Sequence, residues 1–305
     1  MLEKDQVAAA RKGALAVRDD DLAVLVVTGE DRVAWLNGLL TCDLAKRTPG
    51  AAVYGLAVQR NGRVLADVTV VFDDAGERLL VAVPDAVVPV LRAHLEHYLV
   101  MEDAEIAPSV DAFEVWALHG PRSAEALQAA LGAGAFGGDV DRTGMGGAVV
   151  FAPEEDARQV AAAIAGVATV GDAAGWEVLR LEHAVPRFGV DFDDKTYPQE
   201  AALEKTAVSF DKGCYLGQEV VCMLQMRGHV KRKLVSLVLE ATVVPAARAP
   251  VTDAAGAAVG EVTSAASSPT LGKAVALAMV KRGQAEPGTE IAVGGVSGEV
   301  VDRPA

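Results

Sequence analysis

The sequence predicts an α+β fold of three parts: two mixed helix-and-strand domains and a small all-β domain at the C-terminus. Three observations point there. At 305 residues the chain is longer than one typical core needs. Short apolar runs alternate with amphipathic segments, and this pattern starts again near residue 113. From Leu234 onward only short strands remain, separated by Gly, Pro and Asp turns. The domain limits read from these changes are 1–110, 111–232 and 233–305.

In chain order, Leu22–Val27 is a buried-strand run, and Gly29-Glu30-Asp31 opens a helix carrying Val33, Leu36, Leu39 and Leu40. Ala51–Val58 and Val64–Phe72 flank Arg60-Asn61-Gly62-Arg63, and Asn-Gly between apolar runs is the strongest short hairpin signal. A strand over Arg78–Val83 and an amphipathic helix over Asp85–Tyr98 follow. The second domain opens with a strand, Phe113–Leu118, and a helix, Pro121–Leu131, with proline in its first turn. Gly132–Gly147 lacks G-x-G-x-x-G and reads as loop and turn. A strand at Ala148–Phe151, an alanine-rich helix at Glu154–Ala165 and a helix capped by Asp172 and stopped by Pro186 complete it. Phe188–Leu203, with Asp191, Asp193 and Asp194, reads as a solvated loop; calcium-loop spacing is missing, so no metal is expected. Strands are expected at Val235–Leu239, Val259–Thr263, Ala274–Val280, Glu290–Val293 and Gly298–Val301.

Composition excludes several classes of function. The chain carries 28 Lys and Arg against 42 Asp and Glu, a net charge of −14 that disfavours nucleic acid and anionic membranes as partners. No apolar run approaches the ~18 residues of a spanning helix. The acidic N-terminus lacks signal-peptide order, so a cytoplasmic location is expected. Three cysteines without C-x-x-C indicate neither a disulfide framework nor structural zinc.

One stretch, Asp211–Glu219, is made almost wholly of residues that bend, bond or react. Gly213 and Gly217 suit a shaped loop. Cys214 lies between them, and Lys212 would favour its thiolate if the two side chains converge. A lone cysteine is more often a buried apolar residue, but Cys214 is not in an apolar run. Downstream, Arg227, His229, Lys231, Arg232 and Lys233 form the one basic concentration, either strand-edge charges or an anion site.

Lys212-Gly-Cys-Tyr-Leu-Gly-Gln-Glu219 resembles the K-G-C-Y-x-G-Q-E signature of the YgfZ family of folate-binding proteins, relatives of the T-protein of the glycine-cleavage system. Residues 29–44, 60–67, 179–191 and 259–269 are similar to further segments of these families. The resemblance implies two topologically related α/β domains and a C-terminal β-barrel set round a central tetrahydrofolate site. It implies that Glu182 reads the pterin ring and that Tyr215, Gln218, Arg227 and Lys231 contact folate, the last two at its anionic glutamyl tail. Cys214, assisted by Lys212, would do chemistry that serves iron-sulfur clusters in partner apoproteins or cluster assembly proteins. Redox exchange, sulfur carriage and transient iron binding all stay open. The alternative is a folate-dependent aminomethyltransferase or other one-carbon transferase assisted by Asp67 or Glu182; T-protein relatives carry adjacent aspartates where this chain reads Ala66-Asp67, and that departure, with Cys214, leans away from it.

Overall fold

The computed structural model describes residues 1–73, 75–109 and 112–305, and the expected boundary between 110 and 111 lies outside them. The fold is α+β and falls into two compact units. One comprises Ala8–Ala173 and Lys205–Val220, the other Met1–Val7, Ala174–Glu204 and Val221–Ala305.

The first unit holds two five-stranded sheets. In one, Ala52–Val58, Val64–Phe72, Leu79–Pro84, Leu22–Thr28 and Glu105–Pro108 are neighbours in that order. In the other the order is Thr169–Val170, Leu15–Arg18, Phe113–His119, Gly147–Pro153 and Phe136–Asp139. Leu79, Val81 and Val83 join the core under the helices bearing Trp35, Leu36, Leu91 and Leu95, while Leu80 and Ala82 meet Val115, Val149 and Phe151 of the other sheet. Both faces of Leu79–Pro84 are therefore buried. That is why its sequence, LLVAVP, is a continuous apolar run rather than an alternation. The outer face of the second sheet is covered by Ser123–Leu131 and Ala157–Ala165, through Ala126, Leu127, Val160 and Ile164.

Several expectations need correction. Gly132–Gly147 is not all loop, since Phe136–Asp139 is a strand paired with Gly147–Pro153. Its Gly-Gly gave no strand signal because the backbone there is approached too closely for side chains: a Cβ on Gly138 would meet the Ala52 nitrogen at 2.6 Å. The helix expected to include Leu39 and Leu40 stops at Asn37, followed by a turn. The helix Glu3–Lys12 and the strands Leu15–Arg18 and Pro250–Thr252 had no counterpart in the sequence reading.

The second unit is built on a closed six-stranded barrel. Along Lys273–Lys281, Ala274, Ala276, Ala278 and Val280 fill its interior, while Val275, Leu277 and Met279 face outward onto Leu181 of the helix Ala173–Glu182. Small alanines inside and larger residues outside fit a narrow lumen.

Part of the loop expected to be solvated is instead locked into this unit. Asp193 and Asp194 are exposed, but Asp191 is 3% exposed and pairs at 2.7 Å with Arg180, itself 1% exposed. Thr263 and Ser264 of the barrel each donate a hydroxyl to Asp191 Oδ1 at 2.5 Å, and the Arg187 amide donates to Oδ2. A carboxylate with four donors can be desolvated, which polarity along the chain does not disclose. Asp191→Asn leaves Arg180 with Glu177 as its remaining counter-ion, at 2.6 Å, and weakens the charge-assisted bonds from Thr263, Ser264 and the Arg187 amide; we expect denaturant titration to show a loss of about 1–3 kcal/mol.

Candidate functional site

The segment Lys205–Val220 belongs to the first unit, where it is bonded to the turn following the helix Arg32–Asn37. The Thr41 hydroxyl donates to the Ala207 carbonyl at 2.6 Å, the Ser209 amide to Thr41 O and the Leu216 amide to Gly38 O. At the centre is Lys212, 8% exposed. Its ammonium donates to the carbonyls of Asn37 at 2.5 Å, Leu40 at 2.9 Å and Cys42 at 2.7 Å. A helix end leaves carbonyls without intrahelical partners, and an ammonium offers three donors, so one lysine satisfies three carbonyls of the turn while the Leu216 and Ser209 amides meet two others.

This corrects the expected role of Lys212. Its donors are committed to the backbone, and the cysteine whose electrostatics it feels is Cys42, not Cys214. Burial pushes Lys212 down to about 8, with Cys42 and Asp43 opposing. Burial likewise pushes the Cys42 thiol up to about 11, with Lys212 opposing.

Cys214 is exposed. Gly213 has neither left-handed backbone nor a neighbour within 4 Å of where a Cβ would stand, so nothing there demands glycine. Gly217 is required: its φ is 76°, and a Cβ would sit 2.4 Å from the Gln59 carbonyl. The loop thus rests directly on the Arg60–Arg63 hairpin turn. Tyr215 is buried with its ring 5.3 Å from the Lys212 ammonium. The Tyr215 amide donates to Gln218 Oε1 at 3.4 Å, and the Gln218 amide to Tyr215 O at 3.2 Å. In these contacts Tyr215 and Gln218 shape the loop.

On the hairpin strand, Ala66 is fully buried in the helix-side core, while Asp67 faces the other way and is half-buried. The buried Tyr54 phenol donates to Asp67 Oδ2 at 3.0 Å. The Arg142 guanidinium lies 4.2 Å over the Tyr54 ring and donates to its hydroxyl at 3.3 Å. Burial raises the Tyr54 phenol well above its ordinary range, Arg142 opposing and Asp67 reinforcing, so it stays a proton donor. Sequence reading missed Tyr54 and Arg142. Arg142 lies in the stretch taken as loop and meets Tyr54 across 88 residues, a separation that local patterns do not bridge.

The other three candidates lie in the second unit. Glu182 has no exposed surface. Ser268 donates to its Oε1 at 2.5 Å, and Thr270 donates through its amide to Oε1 and its hydroxyl to Oε2. Glu182 therefore ties its helix to the barrel. Arg227 and Lys231 are exposed, whereas their neighbours Arg232 and Lys233 lie beside Glu200 and Glu204 at 3.3 and 4.0 Å. Among the described residues no group of three or more His, Cys, Asp or Glu is placed to hold a metal ion. No described helix is long and apolar enough to cross a membrane.

Two measurements follow from this geometry. With limiting iodoacetamide near neutral pH, Cys214 is modified first and Cys42 last, read by peptide mass mapping, because Cys42 is buried and its thiol is held protonated. Lys212→Met strands three carbonyls and lowers stability by about 3 kcal/mol or more near pH 7. The folded Lys212 releases its proton near 8 and the unfolded one near ~10.4, so between these values the unfolded chain binds more protons. The stability difference between wild type and Lys212→Met consequently shifts in favour of wild type by about 1–2 kcal/mol over that window, after allowance for solvent screening.

Comparison with known proteins gives a consistent result. Residues 3–138 match the GCVT N-terminal domain and residues 232–305 match the glycine cleavage T-protein C-terminal barrel domain. An aminomethyltransferase of Streptomyces coelicolor is 30% identical, with 94% of this chain and 84% of the relative covered. One from Thermotoga petrophila is 27% identical, over 98% and 86%. The crystal structure of the glycine cleavage system aminomethyltransferase T from Bartonella henselae has the same fold, with a TM-score of 0.84 at 22% identity over 99% of this chain and 89% of that one. With these domains, in this order and over nearly its whole length, the chain belongs to the glycine-cleavage T-protein family.

Proposed function

We propose that the protein binds tetrahydrofolate and that its exposed thiol, Cys214, serves the maintenance of iron-sulfur clusters in other proteins, as in the YgfZ branch that the signature resembles. The observation behind this reading is an accessible cysteine on a loop whose backbone is fixed by Lys212 and Gly217. A reactive group held on a clamped loop needs little ordering when it meets its target.

The residues present suit a folate. Asp67, half-exposed beside Tyr54 and Arg142, offers a carboxylate to ligand N–H groups. Glu182 suits the pterin less simply, because a ligand must share a carboxylate already accepting from Ser268 and Thr270.

Aminomethyl transfer to tetrahydrofolate is the second reading, and the names of the relatives favour it over the first; Asp67, whose phenol partner is Tyr54, suits it as well. One comparison separates the two. On the first reading Cys214→Ser loses support of iron-sulfur enzyme activity in cells lacking the native protein, and the purified chain shows no turnover with an aminomethyl donor and tetrahydrofolate. Turnover that falls with Asp67→Asn and is indifferent to Cys214→Ser establishes the second. In either case Asp67→Asn weakens tetrahydrofolate binding about tenfold or more by calorimetry. Glu182→Gln acts mainly by lowering the melting temperature, and unchanged melting with lost affinity would return Glu182 to the pterin.

A further inference from the structure

The paired strands Phe136–Asp139 and Gly147–Pro153 are joined by a turn whose backbone is organised by one side chain. Asp141 Oδ1 accepts from the Thr143 amide at 2.9 Å, the Thr143 hydroxyl at 3.2 Å and the Gly144 amide at 2.7 Å, while Oδ2 accepts from the Gly146 amide at 2.8 Å. The hydroxyl of the fully buried Thr143 in turn accepts from the Met145 amide at 3.3 Å. Burial works against the charged form of Asp141, but the amides of Gly146, Gly144 and Thr143 outweigh it and hold the carboxyl below its ordinary value. The Val140 amide closes the turn onto Gly147 O at 3.0 Å.

The residue that this turn carries is Arg142. Its guanidinium covers the Tyr54 ring and donates to the Tyr54 hydroxyl, which donates to Asp67 Oδ2. The direction of the second bond follows from the first. A guanidinium accepts nothing, so the phenol oxygen accepts from Arg142 and gives its single proton to Asp67. Turn, arginine, tyrosine and aspartate all lie in the first unit. An arginine side chain is long and rich in rotamers, and holding it over a ring requires a backbone that is already fixed. Asp141 supplies that fixity, and its own carboxylate, the nearest acidic neighbour of Arg142 in sequence, is occupied by four donors of the turn.

We propose that Asp141 is a positioning residue for the carboxylate of Asp67: it fixes the turn, the turn places Arg142 on Tyr54, and Tyr54 orients Asp67 toward the N–H groups of the ligand. This rests on the reading that Asp67 meets tetrahydrofolate, which both proposed activities share.

The test uses the full chain and two readouts. The first is NMR of the Arg142 side-chain Nε–H, assigned by its loss in Arg142→Lys; seated over the Tyr54 ring, this proton is displaced upfield of the ordinary arginine position. We expect Asp141→Ala to return it to that position. The second is tetrahydrofolate affinity by calorimetry, which should fall about three- to tenfold in Asp141→Ala and in Arg142→Lys. The double variant should lose little more than either single one, because both substitutions break the same chain of contacts. An Arg142 proton unmoved in folded Asp141→Ala overturns the proposal, and so do losses of affinity that simply add. A wild-type chain that binds no tetrahydrofolate sinks the folate reading instead, and the Arg142 proton then decides the role of Asp141 alone. If Asp141→Ala does not fold, Asp141→Asn takes its place: it keeps an acceptor for Thr143 and Gly144, loses the one for Gly146, and should move the proton part of the way. No movement there overturns the proposal as well.

Discussion

Three backbone carbonyls govern the organisation of the first unit. Those of Asn37, Leu40 and Cys42 converge where a six-residue helix gives way to a turn, and inside a protein they need donors. The lysine that supplies them is about 170 residues away along the chain. Everything distinctive about the loop follows from that anchor: the buried Tyr215 against the ammonium, the left-handed Gly217 against the hairpin and the outward Cys214. The second unit has a counterpart in the Arg180–Asp191 pair, where both oxygens of a buried carboxylate in an irregular segment find donors.

The fold was legible in the sequence wherever apolar periodicity expressed burial directly. The hairpin strand Val64–Phe72 was read to the residue and five of the six barrel strands were located, because alternating faces leave a period-two trace, although Pro250–Thr252 was missed and Ala258–Ser268 runs beyond its expected end. The misses share a physical origin. Phe136–Asp139 is a strand whose glycines record the approach of Ala52, and the buried part of 188–203 is polar because its burial rests on hydrogen bonds instead of apolar area. Neither condition leaves a pattern in local hydropathy.

The site was legible as a list of residues and less so as relationships. Cys214 is exposed as its setting suggested, and Asp67 does face away from Ala66, as strand alternation requires. What one sequence did not supply was which lysine meets which cysteine. Adjacency put Lys212 with Cys214, whereas the turn geometry put it with Cys42. Tyr54 and Arg142 gave no signal because an aromatic in a strand and an arginine near glycines each have an ordinary local explanation.

The contact at Gly217 has a bearing on how this loop can be inherited or transplanted. Its absent side chain is the space taken by the Gln59 carbonyl, so the hairpin turn and the thiol loop are two halves of one moulding. An insertion that lengthens Arg60–Arg63 moves the wall against which the cysteine is set, without touching any residue of the loop. Divergence in this chain is therefore constrained in pairs, and a graft of 211–219 into another scaffold keeps its shape only when 59–62 travels with it.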